Sequence, residues 1–143
     1  MCQRFEEVAI SEPFDAVIGS SVLHHLMIEE ALEVIHRLLK PGGILAFAEP
    51  NMLNPQVFAE RTFMRRFSKY TSPDETAFVR WSFGKLLEEK GFTRVEITPF
   101  DWLHPYTPKG MIPAVQGLGK ALERIPGVRE FSGSLLIKAE RGE

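Results

Sequence analysis

Two histidines stand side by side, His24 and His25, just after a short apolar run, and a glutamate and an asparagine, Glu49 and Asn51, close a second apolar run. Histidine titrates near neutrality, so one of the pair could act as a general base toward a reacting group. Adjacent side chains point in different directions, and the competing reading packs one ring and leaves the other in solvent. Two neighbouring histidines without further ligands give no metal signal. Glu49 and Asn51 could touch a substrate or cap the turn that follows them. Gly19, Ser20 and Ser21 end the first apolar run. There a glycine permits close approach of a ligand and the serines offer hydroxyls, or the three form a plain strand-to-helix turn with serine as its cap. Arg61, Arg65 and Arg66 could hold an anionic group or form a solvated helix face. Trp102 and His104, in the proline-rich and aromatic stretch from Phe100 to Tyr106, could line a substrate pocket or pack a loop.

The elements that must position these residues follow from periodicity. Phe14 to Gly19 reads as a strand whose centre, Ala16 to Ile18, is apolar on both faces, as in a parallel strand covered by helices on both sides. Ile28, Ala31, Leu32, Ile35, Leu38 and Leu39 keep the three-and-four spacing of an amphipathic helix. Its early glutamates, Glu29, Glu30 and Glu33, and its late cations, Arg37 and Lys40, suit the helix dipole. Lys40-Pro41-Gly42-Gly43 stops that helix, because proline cannot continue it and glycine accepts a left-handed turn. Ile44 to Glu49 is a second buried strand, which completes a right-handed βαβ unit.

Farther along, Val57 to Phe67 forms an amphipathic helix anchored by Phe58, Phe63, Met64 and Phe67. Ser72-Pro73-Asp74-Glu75 is a helix start, with a serine cap and proline at the first position. That helix runs through Val79, Phe83, Leu86 and Leu87 to Lys90-Gly91. A third strand spans 93–98, a helix weakened by Gly117 and Gly119 spans Ala114 to Ile125, and a last strand spans Ser134 to Ala139.

The bulk numbers narrow the function classes. The 143 residues are 44% hydrophobic and 25% charged, enough for one domain with a real core. A formal net charge of −2 and a pI near 6.1 lack the basic excess of a nucleic-acid binder. The single cysteine, Cys2, forms no intrachain disulfide, so a reducing, cytoplasmic setting is expected. The longest uninterrupted apolar stretch, Ile44 to Ala48, is too short to span a bilayer, and the first residues do not read as a signal peptide.

Phe14-Asp15-Ala16-Val17, then Val22-Leu23-His24-His25-Leu26, then Leu38-Leu39-Lys40-Pro41-Gly42-Gly43-Ile44-Leu45, resembles the class I S-adenosylmethionine-dependent methyltransferases of small-molecule type. Leu86-Leu87-Glu88-Glu89-Lys90-Gly91-Phe92 is similar to the helix and turn before the sixth strand of that family. The resemblance implies a Rossmann-like α/β fold with strands ordered 3-2-1-4-5-7-6, the last antiparallel and helices on both faces. It identifies 14–19, 44–49, 93–98 and 134–139 as strands four, five, six and seven. This chain then carries strands 4-5-7-6, the C-terminal half. Strands one and two, with the glycine-rich loop and the acidic ribose-binding residue, have no counterpart, and no G-x-G occurs near the start.

On that map Gly19, Ser20, Ser21 and Leu23 belong to the S-adenosylmethionine site, incomplete in this chain. His24 or His25 is the candidate base. Glu49, Asn51, Trp102 and His104 lie toward the substrate, and 50–72 and 99–130 are lid or substrate inserts in a single partial domain. The expected activity is methyl transfer to a small-molecule acceptor, with the chain alone inactive, no metal, no nucleic acid and no membrane span. Because a central-type strand stands at an edge, the strand-four edge invites self-association or a partner chain. Residues 3–10 could cover that edge, though Glu6 and Glu7 suit a buried strand poorly. The alternative function is a non-catalytic binding or regulatory module that uses this edge. The plainest alternative is a truncated reading of a longer gene.

Overall fold

The computed structural model describes residues 12–62, 77–104 and 106–143. Among them, four strands form one mixed sheet: β1 (Phe14–Ser20), β2 (Leu39–Pro50), β3 (Phe92–Phe100) and β4 (Ser134–Arg141), in the order β1-β2-β4-β3. β1 and β2 are parallel, and β4 runs antiparallel to both of its neighbours. This is the 4-5-7-6 arrangement expected from the sequence. Both outer strands run one residue or more past their expected ends, and β2 begins at Leu39 instead of Ile44.

The helix between β1 and β2, α1 (Ile28–Leu38), buries Ala31, Leu32, Val34, Ile35 and Leu38. The chain turns at once into β2, and Gly42 takes the left-handed conformation at φ 74° that the Pro-Gly-Gly sequence anticipates. This turn is the register irregularity between Phe14 and Ala16 in the β1–β2 ladder. α3 (Arg80–Glu89) starts at Val79 without a side-chain cap and contributes Phe83 and Leu87 to the core. The helix start expected at Ser72 to Glu75 lies outside the described residues, as do Glu6 and Glu7, Arg65 and Arg66, and the anchors Phe63, Met64 and Phe67.

One cluster unites the interior: Leu32 and Ile35 of α1, Phe83 and Leu87 of α3, and Leu45, Phe47, Phe92, Leu135 and Ile137 of the sheet. Lys90, after α3, ties the two helices by reaching Glu33 of α1 at 2.7 Å. β1 is exposed where its composition anticipates cover. Ala16 is open, and Ile18 is 76% exposed on the face away from the core. Leu136 of β4 is exposed on the same side.

Three further helices lie in the two connections at the carboxyl ends of β2 and β3: α2 (Pro55–Thr62), α4 (Ile112–Leu122) and α5 (Pro126–Arg129). α2 starts earlier than Val57 because Asn54 caps it. The Asn54 Oδ1 accepts from the Gln56 and Val57 N–H groups at 2.9 and 3.0 Å, with Pro55 at the first helical position. No helix among the described residues is long and apolar enough to cross a membrane.

Candidate functional site

Ser20, Pro50 and Phe100 end their strands, and Ser134 begins β4, all at one end of the sheet. In open sheets with parallel strands, ligands bind beyond the carboxyl ends. His24, His25 and Glu49, singled out in the sequence, meet at this end.

Glu49, 1% exposed, is the hub. Its Oε1 accepts the backbone N–H groups of Val22 and Leu23 at 3.0 and 2.8 Å, and its Oε2 lies 2.7 Å from His24 Nδ1. The carboxylate therefore caps the single 3-10 turn Leu23–His25 that follows β1, not the turn that follows its own strand. No serine caps that turn. Burial raises the Glu49 carboxyl. The His24 hydrogen bond and the two backbone N–H groups outweigh burial, and the group sits below the ordinary value of 4.5. An ionised carboxylate only accepts, so the proton in the shared hydrogen bond belongs to His24 Nδ1. In the neutral ring this leaves the lone pair on Nε2.

His24 is buried and His25 exposed, yet the two rings do not diverge. Their centroids are 4.0 Å apart and their planes tilted by 40°, so the rings touch although one is enclosed and the other open to solvent.

Ser20, Ser21 and Val22 form the exposed rim. Ser21 adopts φ 52°, a left-handed conformation unusual for a residue with a side chain, and its N–H extends the ladder to Ala48 O at 2.8 Å. Gly19 serves packing: a Cβ there would stand 2.4 Å from the Phe47 ring. Leu23 places its side chain wholly in the core while its N–H goes to Glu49.

Asn51 is also buried and fully engaged. Its Nδ2 donates to Glu130 O and Ser132 O, both at 2.8 Å, and its Oδ1 accepts from Leu53 N. Asn54 Nδ2 adds a bond to Phe131 O, and Arg80 pairs with Glu130 at 3.0 Å. The connection after β2 is thereby pinned to the turn before β4.

Trp102 packs against the backbone of Gly119 in α4, where a Cβ would come within 3.2 Å of it. The Trp102 Nε1 is enclosed without a hydrogen-bond partner among the described residues. His104 Nδ1 accepts from Tyr106 N at 3.2 Å, so its proton sits on Nε2, which reaches Glu60 of α2 at 3.1 Å. His104 thus joins the β3–β4 connection to α2, Trp102 packs within its own connection, and neither is brought to the His24–Glu49 pair by a hydrogen bond. Arg61 of α2 also engages in contacts of its own. A shallow groove of about 290 Å³ between α3 and β3, with Arg80 and Trp81 in its lining, lies at the opposite sheet edge and contains none of the site residues read from the sequence.

Sequence inspection did not identify Glu49 as the cap of a turn 26 residues earlier. Asn54 and Pro55 read in sequence as turn residues, and the cap that Asn54 makes for α2 was not identified, although an Asn-Pro pair before a helix was the available signal.

Residues 2–45 match the sequence model of a methyltransferase domain family. The uncharacterised methyltransferase YodH of Bacillus subtilis is 35% identical over 86 residues, 60% of this chain and 35% of its own length. A SAM-dependent methyltransferase of Thermotoga maritima, a possible histamine N-methyltransferase, superposes with a TM-score of 0.71 at 14% identity over 97% of this chain and 62% of its own. The N-methyltransferase NodS of Bradyrhizobium japonicum, solved with S-adenosylhomocysteine, gives 0.56 at 16% identity, covering 99% of this chain and 53% of its own. In a Haloferax volcanii complex of the Trm112 methyltransferase activator with a methyltransferase, the values are 0.63 and 19%, over 99% of this chain and 60% of that one. At these identities the structural likeness is one of fold. The chain spans about a third of the curated relative and just over half to under two thirds of these structures.

Proposed function

We propose that the chain is part of a class I S-adenosylmethionine-dependent methyltransferase and that it contributes the acceptor side of a methyl-transfer site acting on a small molecule. The observation that carries the proposal is the buried Glu49–His24 pair at the ligand end of the sheet, which fixes the imidazole proton on Nδ1.

Bound S-adenosylmethionine supplies a methyl group on a positively charged sulfur, whose C–S bond breaks as an acceptor oxygen, nitrogen or carbon attacks. His24 takes the acceptor's proton at Nε2, and Glu49 steadies the imidazolium through Nδ1. Ser20 and Ser21 offer hydroxyls and Val22 an apolar surface to the cofactor. Gly19 and Leu23 build the frame beneath them, because their space is taken by Phe47 and by the core. The fold's main contribution is to position the reactants. We read the sequence as the strand-four-to-seven half of the domain. On this reading the glycine-rich loop and the acidic ribose contact come from outside the described residues, and the chain alone is inactive. The lone cysteine supports a cytoplasmic setting.

A second reading is favoured by one observation. Ile18 and Phe14 are exposed on β1, an edge strand among the described residues, so this edge suits a second copy or a complementing chain. In its strongest form the chain is a non-catalytic module that acts through that edge.

Calorimetric titration of the full chain with S-adenosylhomocysteine separates the two. The catalytic reading expects weak binding that Ser21→Trp abolishes. A folded chain that takes up no ligand, and whose self-association is broken by Ile18→Lys, would establish the binding module instead.

A further inference from the structure

α4 differs from α1 and α3 in presenting a run of apolar residues to solvent, where α3 exposes Trp81 alone. Ile112, Val115, Gly119 and Leu122 turn toward the protein, and Gly119 packs against Trp102. Beside that stripe runs a second one, spaced by alternating steps of three and four: Ala114, Leu118 and Ala121 on α4, Met111 in the 3-10 turn that leads into it and Ile125 just after its end. All five are exposed; Met111 is 56%, Leu118 62% and Ile125 50% accessible. Single exposed leucines are ordinary, but an exposed apolar row that runs the length of a helix and into both flanking turns is not.

The exposed charges around the stripe have one sign. Lys109, Lys120 and Arg124 are exposed, and no ion pair holds them among the described residues. The two acidic residues of this stretch are both engaged elsewhere. Glu123 accepts from Asp101 N at 2.8 Å, and Glu130 pairs with Arg80. The chain as a whole is acidic, so this local basic excess is a feature of the helix, not of the composition.

We infer that α4 is an interfacial helix that docks on the surface of an anionic lipid bilayer, with Met111, Leu118 and Ile125 entering the headgroup boundary and Lys109, Lys120 and Arg124 meeting acidic lipid. A second copy of this chain fits less well. Two α4 helices paired antiparallel would set the Lys109 end of each against the Arg124 end of the other, and a parallel pair would oppose like residues. Because α4 packs on Trp102, just beyond the carboxyl end of β3, docking would turn the ligand end of the sheet toward the lipid.

The test is cosedimentation of the full chain with vesicles of equal parts phosphatidylcholine and phosphatidylglycerol, and with phosphatidylcholine alone. We expect binding to the anionic vesicles that weakens with salt. Met111→Ser with Leu118→Ser should lower it about tenfold, and Lys109→Glu with Arg124→Glu should lower it as much without touching the apolar stripe. Ile18→Ser, at an equally exposed apolar site on β1, should leave it unchanged, which separates α4 docking from adhesion of the open sheet face. Circular dichroism confirms that each variant is folded. The proposal is overturned by absence of binding, by binding that Ile18→Ser removes and the α4 variants do not, or by a solution dimer that the α4 variants disperse. None of these outcomes bears on methyl transfer, which is read by the cofactor titration.

Discussion

Replacing Glu49 tests the site at its centre. In Glu49→Ala three donors lose their acceptor at once: Val22 N, Leu23 N and His24 Nδ1. A buried donor left unpaired costs about 1–3 kcal/mol. Val22 is exposed and its N–H can find water, but Leu23 and His24 are buried, so the expected loss is about 3–5 kcal/mol, a large share of the ~5–15 kcal/mol that holds a domain together. Glu49→Gln should behave differently. Its amide oxygen can still accept from Val22 and Leu23, while its amide NH₂ faces His24. Two donors cannot share a hydrogen bond, so the imidazole proton must move to Nε2 and Nδ1 must become the acceptor. The expected cost is about 1–2 kcal/mol, with an inverted tautomer and a base that can no longer accept at Nε2. Urea unfolding gives the stabilities, and nitrogen NMR of the His24 ring gives the tautomer. A loss below about 1 kcal/mol for Glu49→Ala, or an Nδ1 proton retained in Glu49→Gln, would refute the reasoning.

Other perturbations probe the frame. Because Glu49 titrates below its ordinary value of 4.5 when folded, its stabilisation is present above that pH and is lost as pH falls through the lowered value; acid unfolding should steepen there in the natural chain and less so in Glu49→Gln. Gly19→Ala puts a Cβ into the Phe47 ring and should lower stability by about 1–3 kcal/mol in urea unfolding, even though the glycine is not strained. Asn51→Ala removes two bonds to the 130–132 turn and one to Leu53, an expected loss of about 2–3 kcal/mol, with faster hydrogen exchange around Ser132 than in the α1 core.

Local pattern made the scaffold legible. The apolar spacing of Ile28 to Leu39 and the Pro-Gly-Gly stop identified α1 and β2, and the resemblance of 14–45 supplied the strand order that the sheet then displays. β2 reaches back to Leu39 because ladder pairing with Phe14 captures the turn, a tertiary effect that periodicity does not carry. The site was legible as residue types and not as bonds. Glu49 caps backbone N–H groups far away in sequence, and such donors leave no residue-type signature. Gly19 looked open because glycine lacks a side chain, but the neighbouring strand places Phe47 in that space. The contact between the His24 and His25 rings, 4.0 Å between centroids, depends on side-chain placement that residue types do not carry.

The most direct measurement is an NMR titration of the full chain with S-adenosylhomocysteine, which locates even weak binding. We expect amide shifts concentrated at Ser20, Ser21 and Val22 together with the His24 ring. Shifts confined to the α3–β3 groove around Trp81, or none at saturating ligand, would contradict a methyl-transfer site at this end of the sheet.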